Sequence, residues 1–153
     1  MQLMLLRRCP SKRSSVRSAC SGRSCTPLSA RIRLLESTDA TLGRSAGWKA
    51  RAAATASGGT VLSTTGGGRV LTATVEGRSV AVVAVRGSTK GRFRIAIDDV
   101  TVATVFLAAG SRGPRKIVFA SQPLDPAVAH VVTITTMQGK VDIDAIAVFE
   151  DLG

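Results

Sequence analysis

From about Leu42 onward, apolar and polar residues alternate with a period of two. "RVLTATV" (69–75) alternates, and "SVAVVAV" (79–85) is a nearly continuous run of small apolar residues. In "FRIAID" (93–98), Phe93, Ile95 and Ile97 share one face, with Arg94, Ala96 and Asp98 on the other. "VTVATVFL" (100–107), "KIVFA" (116–120), "HVVTITT" (130–136) and "VDIDAIAVF" (141–149) follow. These runs are rich in Val, Ile and Thr and bounded by Gly, Pro, Ser or Asp, which predicts strands. An earlier strand is expected over Thr60–Thr64 and a short one around Trp48. "KARAAATA" (49–56) has neither an apolar face nor a capping pattern and reads as loop or irregular extended chain. Seven or eight short strands and no sustained helical stripe predict an all-β, antiparallel β-sandwich or small barrel. The sandwich is favoured, because nothing in the pattern signals barrel closure.

Between two of these strands stand Asp98 and Asp99, a tight hairpin turn in which Asp tolerates left-handed backbone. A metal reading of the pair needs more oxygen ligands nearby. Antiparallel strands reverse at each connection, so successive loops alternate between the two ends of the sandwich. One end is expected to collect "TTGGGR" (64–69), "RGSTKGR" (86–92), "AAGSRGPRK" (108–116) and "MQGK" (137–140), a glycine-rich rim with eight Arg and Lys and no acid. Arg86, Lys90, Arg92, Arg112 and Lys140 are its candidate ligand-binding residues. Arginine offers planar donors to carboxylate or phosphate, and glycine lets backbone amides approach. The alternative is a solvated rim that only keeps the domain soluble. The other end, "EGR" (76–78), Asp98-Asp99 and "SQPLDPAVA" (121–129), leans acidic.

Charge changes the picture at the N-terminus. The 153 residues carry a net charge of +11, but residues 1–35 hold eight basic residues and no acid. The remainder holds 13 basic and 10 acidic groups, so most of the excess sits in a segment read as a disordered Arg/Ser-rich tail over 1–38, ahead of a module over 39–153. All three cysteines, Cys9, Cys20 and Cys25, lie in that tail at spacings that suit neither a disulfide framework nor a zinc site. "MQLMLLRRCP" is no recognisable signal peptide, since its apolar run is short and its arginines follow it. No stretch reaches the length of a membrane span. The tail is expected to be an artefactual start of translation or the ragged end of a longer protein. With one Trp, four Phe and no Tyr, rings for stacking on sugars or bases are scarce.

The order of Gly47-Trp48, the "TTGGG" turn, the "KGRFRIAIDD" hairpin, "HVVTI" and "VDIDAIAV" resembles secreted bacterial jelly-roll modules with a galactose-binding-like fold. These are carbohydrate-binding appendages of larger hydrolases and surface proteins. The likeness covers about residues 42–149. Asp98 matches the family's Val-Asp-Gly turn, where Asp99 replaces the glycine, and His130 matches the histidine that opens a strand in the family. The resemblance implies structural roles for Trp48, Asp98, His130 and Asp144. It further implies a secreted or cell-surface location, with polysaccharide or cell-wall glycan and the other domains of a larger secreted protein as partners.

No Walker loop, nucleophile elbow, paired catalytic carboxylates or dinucleotide fingerprint is present, and His130, the lone histidine, has no triad context. The expected function is therefore non-catalytic binding of carbohydrate or a cell surface, with anionic glycans favoured by the rim. The alternative is a structural spacer with no ligand. A nucleic-acid role through the basic tail is disfavoured. No metal site or cofactor is indicated, although Asp142 and Asp144 share a face and could contribute to a structural calcium site.

Overall fold

The computed structural model describes residues 18–21, 24–27, 29–110 and 115–152. Its strands are β1 (Ser18–Ser21), β2 (Ser24–Pro27), β3 (Ser29–Glu36), β4 (Leu42–Arg44), β5 (Lys49–Ala52), β6 (Thr60–Thr65) and β7 (Val70–Val75). They continue with β8 (Ser79–Val85), β9 (Arg92–Ile97), β10 (Val100–Phe106), β11 (Arg115–Ala120), β12 (His130–Gln138) and β13 (Lys140–Leu152). β1 and β2 pair only with each other. The rest form two antiparallel sheets, one ordered β10-β9-β12-β7-β4 and one ordered β11-β8-β13-β6-β5, with β3 added against β13. The expected β-sandwich is therefore present.

The period-two pattern is what builds the core. Leu71, Ala73 and Val75 of β7, Phe93, Ile95 and Ile97 of β9, and Val132 and Ile134 of β12 form the inner face of the five-stranded sheet. Leu62, Val80, Val82, Val141, Ile143, Ile146 and Val148 meet them from the other sheet. Full burial of each large side chain contributes about 1.5–3 kcal/mol. At the β9–β10 hairpin, Asp98 and Asp99 have φ of 51° and 65°, the pair of positive values that a two-residue I′ turn requires.

Four strands depart from the sequence reading: β1, β2 and β3 within the segment read as tail, and β5 within "KARAAATA". β3 lies inside the segment assigned to the tail and pairs with β13 from Glu36↔Ala145 to Ser29↔Leu152. Its Leu35 is 1% exposed. Two of the eight cations that suggested a tail share one acid far along the chain: Arg33 Nε donates to Glu150 Oε1 at 2.6 Å, and Arg31 Nε to Oε2 at 2.8 Å. Residues 1–17 of that segment, Cys9 among them, lie outside the described residues. β5 is a regular edge strand on β6, directly after Trp48 where a short strand was expected and within the segment read as loop or irregular extended chain. All four of its residues are exposed, so it carries no burial period to read.

β13 is the spine of the six-stranded sheet. It pairs with β8 on one side, and on the other first with β6 (Lys140–Ile143) and then with β3 (Ala145–Leu152). Between the two, a bulge at Asp144 shifts the register against β8. Alternation along β13 points Val141 and Ile143 inward and Asp142 and Asp144 outward, and the bulge is why the inward set resumes at Ile146 and not at Ala145.

Candidate functional site

Four connections meet at one end of the sandwich, as strand alternation predicts for these loops. Gly66 N donates to Gly139 O at 3.0 Å, Gly68 N to Thr136 O at 2.7 Å and Gly91 N to Lys140 O at 2.8 Å. Leu107 N donates to Gly91 O at 2.9 Å and Gly87 N to Leu107 O at 3.0 Å. Glycine is required where the β8–β9 and β12–β13 connections cross, because a Cβ on Gly91 would run into the carbonyl oxygen of Gln138.

The candidate cations do not form one uniform rim. Lys90 turns inward, its side chain 6% exposed, and pairs with Asp142. Ser63 Oγ donates to the other oxygen of Asp142 at 2.6 Å. Burial alone pushes the Asp142 carboxyl up, but hydrogen bonds from Lys90 and Ser63 outweigh it and hold it below the ordinary carboxylate range. Arg86 and Arg92 are half-buried, each with an Nε that finds no hydrogen-bond partner among the described residues. Lys140 is half-buried, and Arg112 lies outside the described residues.

Among the described residues, the candidate cations line four depressions: Arg86 borders one of about 380 Å³ beside Phe106, Lys90 and Lys140 border one of about 200 Å³ over Gly87, Ser88 and Thr89, and the other two carry the distinctive chemistry. On the five-stranded side, a groove of about 250 Å³ is lined by Lys90, Gly91, Arg92, Phe106, Gln138 and Gly139, with Ala108. Phe106, Arg92 and Gln138 stand side by side across β10, β9 and β12. The Arg92 guanidinium carbon lies 5.8 Å from the centroid of the Phe106 ring. The Phe106 residue is 58% exposed, whereas Trp48 and Phe93 are buried and Phe119 and Phe149 are partly covered. The sequence reading missed Phe106, although alternation along β10 sends it opposite to the core residues Val105 and Leu107. On the outer face of the six-stranded sheet, a pocket of about 210 Å³ holds Asp142 and Asp144 among Arg51, Arg115 and Lys140. Asp144 is nearly sealed: its carboxylate accepts from Ser57 N at 2.8 Å and from Arg115 Nη1 at 3.3 Å.

The opposite end of the sandwich is built differently. His130 Nδ1 meets Asp98 Oδ2 at 2.6 Å, Nε2 meets the Asp125 carbonyl at 3.0 Å, and Val131 N donates to Asp98 Oδ1 at 2.8 Å. Both ring nitrogens face acceptors, an arrangement that the imidazolium satisfies completely. The Asp98 hydrogen bond accordingly raises the His130 pKa above its ordinary 6.5 and lowers that of Asp98. Trp48 is 9% exposed and packs in the core. Among the described residues, no three His, Cys, Asp or Glu side chains are grouped to hold a metal ion.

No protein-family model matches the chain, and no curated protein matches it in sequence. Solved structures do. A family 35 carbohydrate binding module from Clostridium thermocellum superposes with a TM-score of 0.59 at 14% identity, over 76% of this chain and 96% of that one. A family 35 module from an environmental isolate gives 0.60 at 14% identity, over 79% and 93%. The chain has the jelly-roll fold of a carbohydrate-binding module. A family two carbohydrate esterase from Cellvibrio japonicus aligns over 80% of this chain and only 34% of its own, at 13% identity and a TM-score of 0.57, so this chain spans about a third of that protein's length.

Proposed function

We propose that this chain is a non-catalytic module that binds polysaccharide through the groove at its loop end. The observation that carries the reading is Phe106, an exposed ring on an aromatic-poor surface, with the Arg92 guanidinium against it and Gln138 alongside. An exposed ring takes the C–H face of a pyranose, while guanidinium and amide groups hydrogen-bond the hydroxyls around its edge. Arg86 and Arg92 give the same end a positive potential, which favours anionic glycans over neutral ones. The reading makes the protein extracellular or cell-surface attached, with glycan and the other domains of a larger secreted protein as partners. Among the described residues, no helix is long and apolar enough to cross a membrane.

The test is a glycan array at physiological salt on the intact chain, repeated with Phe106→Ala and Arg92→Ala. Binding that falls about tenfold in Phe106→Ala, with an unchanged melting temperature, supports the groove. Silence of the wild-type chain across neutral and acidic glycans would leave the spacer reading.

A further inference from the structure

The pocket on the outer face of the six-stranded sheet is separate from the Phe106 groove and has a different chemistry. Its acids are already committed: Asp142 to Lys90 and Ser63, Asp144 to Ser57 N and Arg115. Arg51 and Lys140 make no ion pair among the described residues, so the pocket keeps uncompensated positive charge above a satisfied polar floor. The three cations that border it come from β5, β11 and β13, so they approach from different directions across the sheet. At about 210 Å³ the space is smaller than sites for drug-sized ligands, which run roughly 300–1,000 Å³. It suits one substituted sugar residue, not a stacked run of them.

We propose that this pocket receives a sulfate ester carried on a polysaccharide, as a second binding site of the module. Three cations reaching in from different strands match a group with three equivalent oxygens. A carboxylate offers two coplanar oxygens and is served by a single arginine fork. A phosphate monoester offers the same three oxygens with about −1.5 to −2 charge at pH 7, so it differs from the sulfate ester in charge and not in shape. The sulfate ester is a monoanion at every pH at which the fold persists. The inference rests on the glycan reading only for the polymer that bears the sulfate.

The experiment uses the intact chain and three probes on one backbone: dextran, carboxymethyl-dextran and dextran sulfate, the last two matched in charge density, titrated at about 150 mM salt, the physiological ionic strength. Dextran sulfate is expected to bind at least about tenfold more tightly than carboxymethyl-dextran. Arg51→Ala and Lys140→Ala should each remove most of that preference, and Arg94→Ala, an exposed cation outside the pocket, should not. Equal affinity for the two charged dextrans, or equal losses from Arg94→Ala and Arg51→Ala, would overturn the site in favour of diffuse polyanion attraction. Phe106→Ala separates the two readings. If the pocket idea alone fails, Phe106-dependent glycan binding survives; if the groove reading alone fails, sulfate preference persists in Phe106→Ala.

Discussion

The two ends of the sandwich each hold a carboxylate paired with a base, and the pairs work in opposite ways. Lys90 and Asp142 are both nearly excluded from solvent, at 6% and 9% side-chain exposure, so neither charge tolerates loss of the other. Asp98 and His130 sit at the open turn end, where water screens the partner that is left behind. The comparison teaches that a cation in a loop is not thereby a cation offered to a ligand. One of the rim's candidate residues is consumed in holding the rim together.

The strongest way to break this contrast is Lys90→Ala. It leaves Asp142 buried without its partner, and chemical denaturation should show a loss of about 3–5 kcal/mol. The double variant Lys90→Met with Asp142→Leu should recover much of it, because removing both charges also removes their desolvation cost. A loss as small as that of an exposed pair would erase the distinction between the ends. A smaller effect is expected from Glu150→Ala, which frees Arg31 and Arg33 at the surface. Its signature is local: faster hydrogen exchange of the Ser29–Glu36 amides, with the Phe93 region unchanged.

The His130 pair sharpens the comparison through pH. The His130 pKa is raised in the fold, so its contribution is complete below about 6.5 and is lost as pH climbs through the raised value. The Asp98 pKa is lowered, so its contribution is present above about 3.9 and is lost as pH falls through the lowered value. Melting temperatures should therefore decline between about pH 6 and about pH 9 in the wild type and vary less in His130→Gln. The smallest effect is a gain. Asp99→Gly relieves a positive φ of 65° and should stabilise the hairpin by about 0.5–1 kcal/mol, read from denaturant midpoints.

Most of the architecture was legible because each central strand buries one face, and burial writes a period of two. β7, β9 and β12 are clear examples, and the Asp98-Asp99 turn announced its own geometry. β3 and β5 were hidden for opposite physical reasons. In β3 the arginines looked unneutralised because their partner Glu150 is 117 and 119 residues away. In β5 every side chain is exposed and nothing alternates. The loop end was foreseeable as a place, since its location follows from strand reversal. Its chemistry was not, because the inward turn of Lys90 onto Asp142 and the pairing of Phe106 with Arg92 are decided across strands far apart in sequence.

The long β13 also dictates an order of events during synthesis. β8, β6 and β3 are all made before the strand that lies between them, and β3 waits longest, with Arg31 and Glu150 119 residues apart. Until β13 leaves the ribosome, these three strands present unpaired edges to one another and to other nascent chains. The five-stranded sheet waits almost as long, since its central strand β12 ends at Gln138, just before β13 begins at Lys140. The nascent protein thus carries two sheets that both lack their centres until the last two strands are made, and a holdase chaperone would have its opportunity throughout that interval.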